Sequence, residues 1–315
     1  MFPFTLQIHN NVNFVNTMEG MSTLHTTDVP PSQAGQSPDE SRHARGGVRA
    51  FFHGKPRKYF VGLCAVLLGV VILCLPSAYV MEMPGPTANV LGKDEGKEII
   101  SVQGVPVHKD TGKLLLVTVN ASGVPGYPVT NAQIAYAWLS GHMTVMPREA
   151  IFPVGQSAEE YEHESDKEMT TSQDDAVAAV RNFAKSHHID TDGMKVTMHV
   201  DDIGGPSAGM MYALGLIDKL TPVKEVNGTV IAGTGSINAD GKVGSIGGID
   251  LKMLGAKRDG ATWFLAPESN CDEVEGHVPG GLRVVKVATL DEAYDALVTI
   301  GNGTAQSLPS CSAKQ

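Results

Sequence analysis

The stretch DDIGGPSAGMM, at residues 201–211, is the part of the sequence best suited to chemistry. Two glycines and a proline precede Ser207, and an apolar helix is predicted to begin directly after it. A hydroxyl at a helix N-terminus lies beside backbone N–H groups and the positive end of the helix dipole, which favour an oxyanion. Ser207 is therefore a candidate nucleophile. The alternative is an N-cap serine before a core helix, which is the commoner case on local sequence alone.

A serine nucleophile needs a base, and the sequence favours lysine over histidine. There is no G-x-S-x-G motif, and four histidines have surroundings more typical of surface or core groups: His187, His188, His199 and His277. Lys252, in GSIGGIDLKMLGAKRDGA, has apolar neighbours on both sides. Removal from water lowers the pKa of a lysine, so its neutral amine could accept the serine proton near neutral pH. The alternative is a solvated lysine on a helix surface.

The elements that must position these residues alternate between strands and helices. Strands are predicted at 98–102, 113–119, 194–200, 229–235, 262–266 and 283–287. Helices are predicted at 130–140, from Thr171 with an apolar stripe to Ala184, at 208–220, in DLKMLGAKRDG, and from Thr289 to Ile300. The acidic and polar residues 155–170 are expected to form a loop. This order of elements predicts an α/β or α+β fold.

An uncharged run of 23 residues, 59–81, follows a basic cluster and is long enough to cross a hydrocarbon core of about 30 Å. Residues 1–58 contain six Lys/Arg and four Asp/Glu, and the basic residues are the ones next to the run. Basic residues on one flank place that flank in the cytoplasm. We therefore expect a disordered cytoplasmic arm at 1–58 and a single-pass transmembrane helix at 59–81. A cleaved signal peptide is the alternative, but this leader is too long for one.

Composition and absent motifs exclude several functions. With 315 residues, 42% of them apolar, the chain is globular with room for one or two domains. A net charge of −10 argues against nucleic-acid binding. Neither G-x-x-x-x-G-K-[ST] nor H-E-x-x-H occurs, so no ATP, metal or other cofactor is expected. A disulfide between Cys271 and Cys311 is chemically permitted outside the cell, but two cysteines do not establish one.

Three segments taken together resemble the proteolytic domain of Lon-type proteases, a family with a Ser–Lys dyad. They are residues 169–200, GGPSAGMMYALGLIDKLTP at 204–222, and IAGTGSINADGKVGSIGGIDLKMLGAKRDGATWFLAP at 231–267. The resemblance implies that Ser207 is the nucleophile, that Lys252 is its base, and that Thr234 hydrogen-bonds the lysine. Gly205 and Ala208 are expected to be supporting residues of this site.

Within the family, the N-terminal anchor, the segment YVMEMPGPT and the ending FLAPESNC resemble membrane-anchored Lon-like proteases that carry a PDZ domain, found in actinobacteria and other Gram-positive bacteria. That domain should lie between the 172–184 helix and Ser207. Only about two dozen residues separate them, too few for a domain, so we expect the PDZ domain to be missing. Gly204 stands where soluble Lon proteases carry an acid, a place that Asp202 could partly fill.

These observations predict an ATP-independent, membrane-tethered serine endopeptidase that acts on extended peptides or proteins near the membrane surface, outside the cytoplasm. The predicted catalytic unit is a Lon-like domain at 82–300 with its core at 169–300, followed by a flexible tail at 301–315. The expected partners are peptide substrates and, through 59–81, the lipid bilayer, while self-association follows from the resemblance alone. The alternative is a catalytically silent Lon-like fold that serves as a binding or scaffold protein.

Overall fold

A computed structural model describes residues 55–109, 111–152, 155–199 and 203–311, together with the short strand Leu6–Gln7. The chain divides into two compact units, one formed by residues 10–75 and the other by residues 1–9 with 76–315. The arm at 1–58 was predicted to be disordered. Apart from Leu6–Gln7 and residues 55–58, it lies outside the described residues, so that prediction stays a prediction.

The apolar run near the N-terminus forms helix α1, Arg57–Cys74. Its mean hydropathy is 2.0 and none of its residues is buried. Among the described helices it alone has the length and composition to cross a membrane, and it would span about 27 Å. The predicted boundaries, 59–81, are wrong at the C-terminal end. Leu75 and Pro76 have left the helix, and Tyr79 already belongs to a strand.

The second unit is a mixed α/β domain. Its described strands are β1 (Leu6–Gln7), β2 (Tyr79–Asn89), β3 (Lys93–Asp94), β4 (Lys97–Glu98), β5 (Ile100–Gln103), β6 (Lys113–Ser122), β7 (Thr144–Pro147), β8 (Lys195–Met198), β9 (Ile203–Gly204), β10 (Val230–Gly233), β11 (Ser236–Ile237), β12 (Val243–Gly244), β13 (Trp263–Pro267) and β14 (Arg283–Val287). Its described helices are α2 (Asn131–Ser140), α3 (Ala158–Ser186), α4 (Gly209–Leu220), α5 (Ile249–Arg258), α6 (Cys271–Val274) and α7 (Leu290–Gly301).

The main sheet has eight strands, six of them in the order β14–β13–β10–β6–β1–β9. Strands β6, β10, β13 and β14 are parallel, whereas β2 runs antiparallel to β6 and also pairs with β7. Strand β10 pairs with Lys113–Leu116, the first part of β6. Farther along, at Val119, β6 pairs with β1, which in turn pairs antiparallel with β9.

The core lies on both faces of this sheet because successive residues of β6 point to opposite sides. Leu114 and Leu116 join a cluster with α3, α4 and α7, and Leu115 and Val117 join a cluster with α5 and α6. Helix α4 is buried along its whole length, as its apolar sequence predicts. The strands predicted at 113–119, 229–235, 262–266 and 283–287 are confirmed to within a few residues.

Helix α3 corrects one prediction. The loop expected at 155–170 is helical from Ala158, so the helix does not begin at Thr171. Ser157 caps it through a capping box with Glu160. The first turns are exposed and polar, and buried residues begin only at Met169. Hydrophobic periodicity cannot distinguish such a solvated helical segment from a polar loop.

The C-terminal segment corrects the prediction of a flexible tail at 301–315. The described part of the tail, expected to be flexible, is attached to the domain by covalent and noncovalent contacts. A disulfide joins Cys311 to Cys271 at the start of α6, with a Cα–Cα distance of 5.0 Å. The Lys286 N–H, in β14, donates a hydrogen bond of 3.0 Å to the Pro309 carbonyl. The polar composition of the tail gave no sign of this attachment.

Candidate active site

A tight change of direction places Ser207 at the entrance to α4. Strand β9 ends at Gly204, and a 3-10 turn over Pro206–Ala208 leads into the helix. Gly205 between them has φ 89° and ψ 161°, a backbone conformation that is essentially restricted to glycine. Pro206 then fixes the first φ of the turn. The GGPS sequence therefore specifies the backbone that presents Ser207, whose side chain is fully buried.

Lys252 reaches the same point from α5. This helix begins after Gly248, whose φ of 64° suits glycine, and the Lys252 side chain is fully buried. Its Nζ lies 2.7 Å from Ser207 Oγ, within hydrogen-bonding distance. The two residues are 45 positions apart in sequence, so the fold alone brings them together. The structure thus assembles the pair that the sequence singled out.

Thr234 connects the two. Lys252 Nζ lies 3.3 Å from Thr234 Oγ1, and that hydroxyl donates to the Ser207 carbonyl at 3.1 Å. The Gly235 N–H donates to the same carbonyl at 2.8 Å. Because Thr234 follows β10 directly, these bonds fix the segment that carries Ser207 to the C-terminal end of this interior strand. Gly205 and Ala208 flank Ser207 as expected, and Asp202 lies outside the described residues.

Burial gives Lys252 the electrostatics of a base. Loss of solvation lowers the pKa of its amine from 10.5 to about 7, and the negative charge of Glu82 opposes part of that decrease. A substantial fraction of the amine is therefore neutral at neutral pH and can accept a proton. A solvated helix lysine, the alternative considered from sequence, would stay protonated.

Glu82 is the residue that sequence reasoning missed. It lies in β2, opposite Ala121 of β6 and Thr144 of β7, and only 2% of its surface is exposed. Burial raises the pKa of its carboxyl to about 7, while Lys252 lowers it and Asp250 adds to the rise. The available signal was one acid in the apolar run YVMEM, which the prediction divided between the end of the membrane helix, 59–81, and the first residue of the domain, 82–300.

The histidines have other contacts. His187 Nδ1 hydrogen-bonds the Phe183 carbonyl at 3.0 Å, and its ring stacks on the Phe183 ring. His277 Nδ1 hydrogen-bonds the Glu273 carbonyl at 3.1 Å. The hydrogen-bond partner on Ser207 Oγ is the lysine. This geometry suits an acyl-transfer site with a Ser–Lys pair, the arrangement that the resemblance implies.

A family model agrees with this geometry. Residues 130–299, more than half of the chain, match the Lon protease (S16) C-terminal proteolytic domain. The chain belongs to the Lon protease family. The matched region contains Ser207, Thr234 and Lys252, whereas Glu82 and the whole of β2 lie before it.

Curated relatives of the same family are similar to part of the chain. The chain is 32% identical over 126 residues to a Lon protease of Lachnoclostridium phytofermentans, covering 37% of this chain and 15% of that protein. It is 31% identical over 170 residues to a Lon protease of Trichlorobacter lovleyi, which covers 51% of this chain and 20% of that protein. Against Lon protease 1 of Sorangium cellulosum the identity is 42% over 94 residues, covering 28% and 11%. The chain thus spans a fifth or less of the length of these relatives.

Proposed function

We propose that this protein is a serine endopeptidase that uses Ser207 as nucleophile and Lys252 as general base. Ser207 Oγ attacks the scissile carbonyl carbon and passes its proton to the neutral Lys252 amine. When the C–N bond breaks, Lys252 gives that proton to the leaving amine, and an acyl-enzyme remains. Water then attacks the ester, Lys252 accepts its proton, and return of that proton to Ser207 Oγ releases the acid product.

The negative charge of the tetrahedral intermediate would form beside the 3-10 turn. The N–H groups of Ser207 and Ala208 belong to the first turn before α4, where backbone donors lack intrahelical acceptors and the helix dipole is positive. Removing one such donor in a serine protease costs on the order of 10²-fold in rate or more. Gly205 supports this role because it sets the direction in which the turn enters the site.

Extended peptides are the substrate form that the sheet favours. Strand β10 pairs only with the first part of β6, so the second part of β6 leaves room for another strand on that side. Strand β1 occupies this place, between β6 and β9, and β9 ends at Gly204, three residues before Ser207. An incoming peptide in the place of β1 would gain the same backbone pairing. Since Ser207 is fully buried, such a replacement is also how we propose that a substrate reaches the hydroxyl.

We also propose that α1 tethers the domain to a membrane, with the catalytic domain outside the cytoplasm. The apolar helix, the basic residues before it and the Cys271–Cys311 disulfide support this location, since disulfides persist in oxidising compartments. The β1 pairing opposes it, because a segment on the far side of a bilayer cannot pair with β6 of the same chain. If the N-terminal arm lies on the cytoplasmic side, we propose that a peptide from outside the cytoplasm takes the position of β1 next to β6.

The observation that carries the catalytic proposal is the buried 2.7 Å contact between Lys252 Nζ and Ser207 Oγ. Incubation of the full chain with a peptide fluorophosphonate tests it. We expect one covalent adduct, located on Ser207 by mass spectrometry, and no adduct in Ser207→Ala. A folded chain that forms no adduct would instead support the silent scaffold with this fold.

A further inference from the structure

Helix α2 exposes large apolar side chains beside the start of β2. Tyr136, Trp138 and Leu139 are 65%, 63% and 87% exposed, and Tyr79 is partly exposed. The Tyr79 and Trp138 rings meet edge to face at 5.7 Å. We call these four residues the aromatic patch. The helix sequence NAQIAYAWLS contains no charged residue, which is unusual for a helix with so much exposed surface.

Residues outside the patch also hold α2 in the domain. Ile134 and Ala137 are the buried residues of the helix, and they pack with Met81 and Val129. The N-terminus is secured by a capping box between Thr130 and Gln133. Tyr136 and Leu139 lie on a different face from this buried pair. Exposed apolar surface rimmed by polar residues marks a site of contact with another partner.

The position of the patch along the chain identifies that partner. Pro76, the second residue after α1, forms a β-bridge with Thr130, the N-cap of α2. The Ser77 N–H donates to the Val129 carbonyl at 2.8 Å. The N-cap of α2 therefore pairs with the second residue that follows α1 in the chain. Tryptophan and tyrosine are the residues enriched at the boundary between lipid and water.

We propose that the aromatic patch inserts into the interfacial layer of the lipid bilayer, an inference that rests on the proposed membrane tether. The domain is then held at the membrane by α1 and by the patch together. Strand β2 leads from Tyr79 to Glu82 in three residues, about 10 Å along the strand. The catalytic centre is thus kept close to the lipid surface, where it meets peptide segments that lie next to the membrane.

Lipid-borne quenching of tryptophan tests this docking. The chain has two tryptophans, so Trp263→Phe leaves Trp138 alone. The full-length variant is reconstituted in phosphatidylcholine vesicles that contain a lipid with a doxyl group at acyl carbon 5, just below the headgroups. We expect strong quenching of Trp138, together with a blue-shifted emission, and weaker quenching by a doxyl group near the bilayer centre.

Trp138→Phe supplies the matched control, because Trp263 lies at the opposite end of the sheet. Trp263 of β13 lies opposite Ile231 of β10, which in turn lies opposite Leu114 of β6. The start of β2, next to the patch, pairs with the other end of β6, where Met81 lies opposite Ser122. Eight residues of β6 separate these positions, about 26 Å. We expect neither doxyl lipid to quench Trp263.

The remaining outcomes separate the patch from the tether. If the protein floats with the vesicles and Trp138 is not quenched, the patch proposal is wrong while the tether stands. A blue-shifted but unquenched Trp138 would mean that protein, such as a second copy, covers the patch, and it equally overturns lipid docking. If the full chain does not float with vesicles, both the tether and the patch fail, while fluorophosphonate labelling of Ser207 still reports on catalysis.

Discussion

Two sides of the buried candidate site are built in different ways. Ser207 and Lys252 come from segments that match the family model. A glycine with positive φ precedes each segment: Gly205 before the Ser207 turn and Gly248 before the helix that carries Lys252. Glu82 comes from β2, outside the match, and no motif marks it. All three side chains are almost fully buried, and Glu82 and Lys252 alter each other's pKa.

The difference concerns what specifies each position. Local sequence favours the Ser207 turn, because Gly205 can adopt a positive φ that other residues rarely adopt and Pro206 fixes its own φ. Strand register fixes Glu82, which lies opposite Ala121. A slip of one residue would turn Glu82 to the other face of the sheet and bring Met81 or Met83 toward the lysine. The Ser207–Lys252 pair is thus encoded in motifs, and its electrostatic surroundings are encoded in the pairing of β2.

Removal of either dyad residue should have the largest effect. Ser207→Ala and Lys252→Ala should each reduce peptide hydrolysis by a factor of about 10³ or more, and the double variant should be little worse, because residues that act as a unit lose activity non-additively. Lys252→Arg should fail as well, since guanidinium stays protonated and cannot accept the serine proton. Steady-state kinetics on a fluorogenic peptide measures all four variants.

His199→Ala is the control for that series and should keep most of the activity. Its fluorophosphonate labelling should equal that of the unaltered chain. Full activity in Lys252→Arg would exclude lysine as the base. Loss of activity in His199→Ala, with the fold intact by circular dichroism, would redirect attention to a serine–histidine arrangement.

Replacement of Glu82 should have a smaller effect that appears in the pH profile. The negative charge of Glu82 favours the protonated amine of Lys252, so Glu82→Gln should lower the lysine pKa further. Activity requires the neutral amine. The acidic limb of the kcat/KM profile should therefore move to lower pH, by about one pH unit, the size expected of one nearby opposite charge.

Glu98→Gln is the matched surface substitution for this measurement. Glu98 is exposed and forms an ion pair with Lys219 at 3.4 Å. Its loss should leave the acidic limb unchanged, because Glu98 pairs with Lys219 and is not among the charges that shift the Lys252 pKa. An acidic limb that stays in place in Glu82→Gln, or that moves to higher pH, would show that the carboxylate does not act on Lys252.

The sequence made most of the central architecture predictable. The parallel strands and α4 follow from apolar runs, and the Ser207 turn follows from GGPS. The first half of α3 was missed because its exposed side chains carry no apolar period. Glu82 was missed because strand pairing, which periodicity does not encode, decides that YVMEM enters the domain. The Cys271–Cys311 pair was permitted by the sequence but not specified by it.

The pH dependence of Ser207 modification tests the central claim most directly. The rate constant for the fluorophosphonate reaction is measured on the full chain between about pH 5 and pH 10. The reaction should speed up as the pH rises through about 7, because burial lowers the Lys252 pKa to about 7 and only the neutral amine accepts the serine proton. A rate that rises only near the ordinary lysine pKa of about 10.4, or one that is the same in Lys252→Arg, would contradict a buried lysine base at this site.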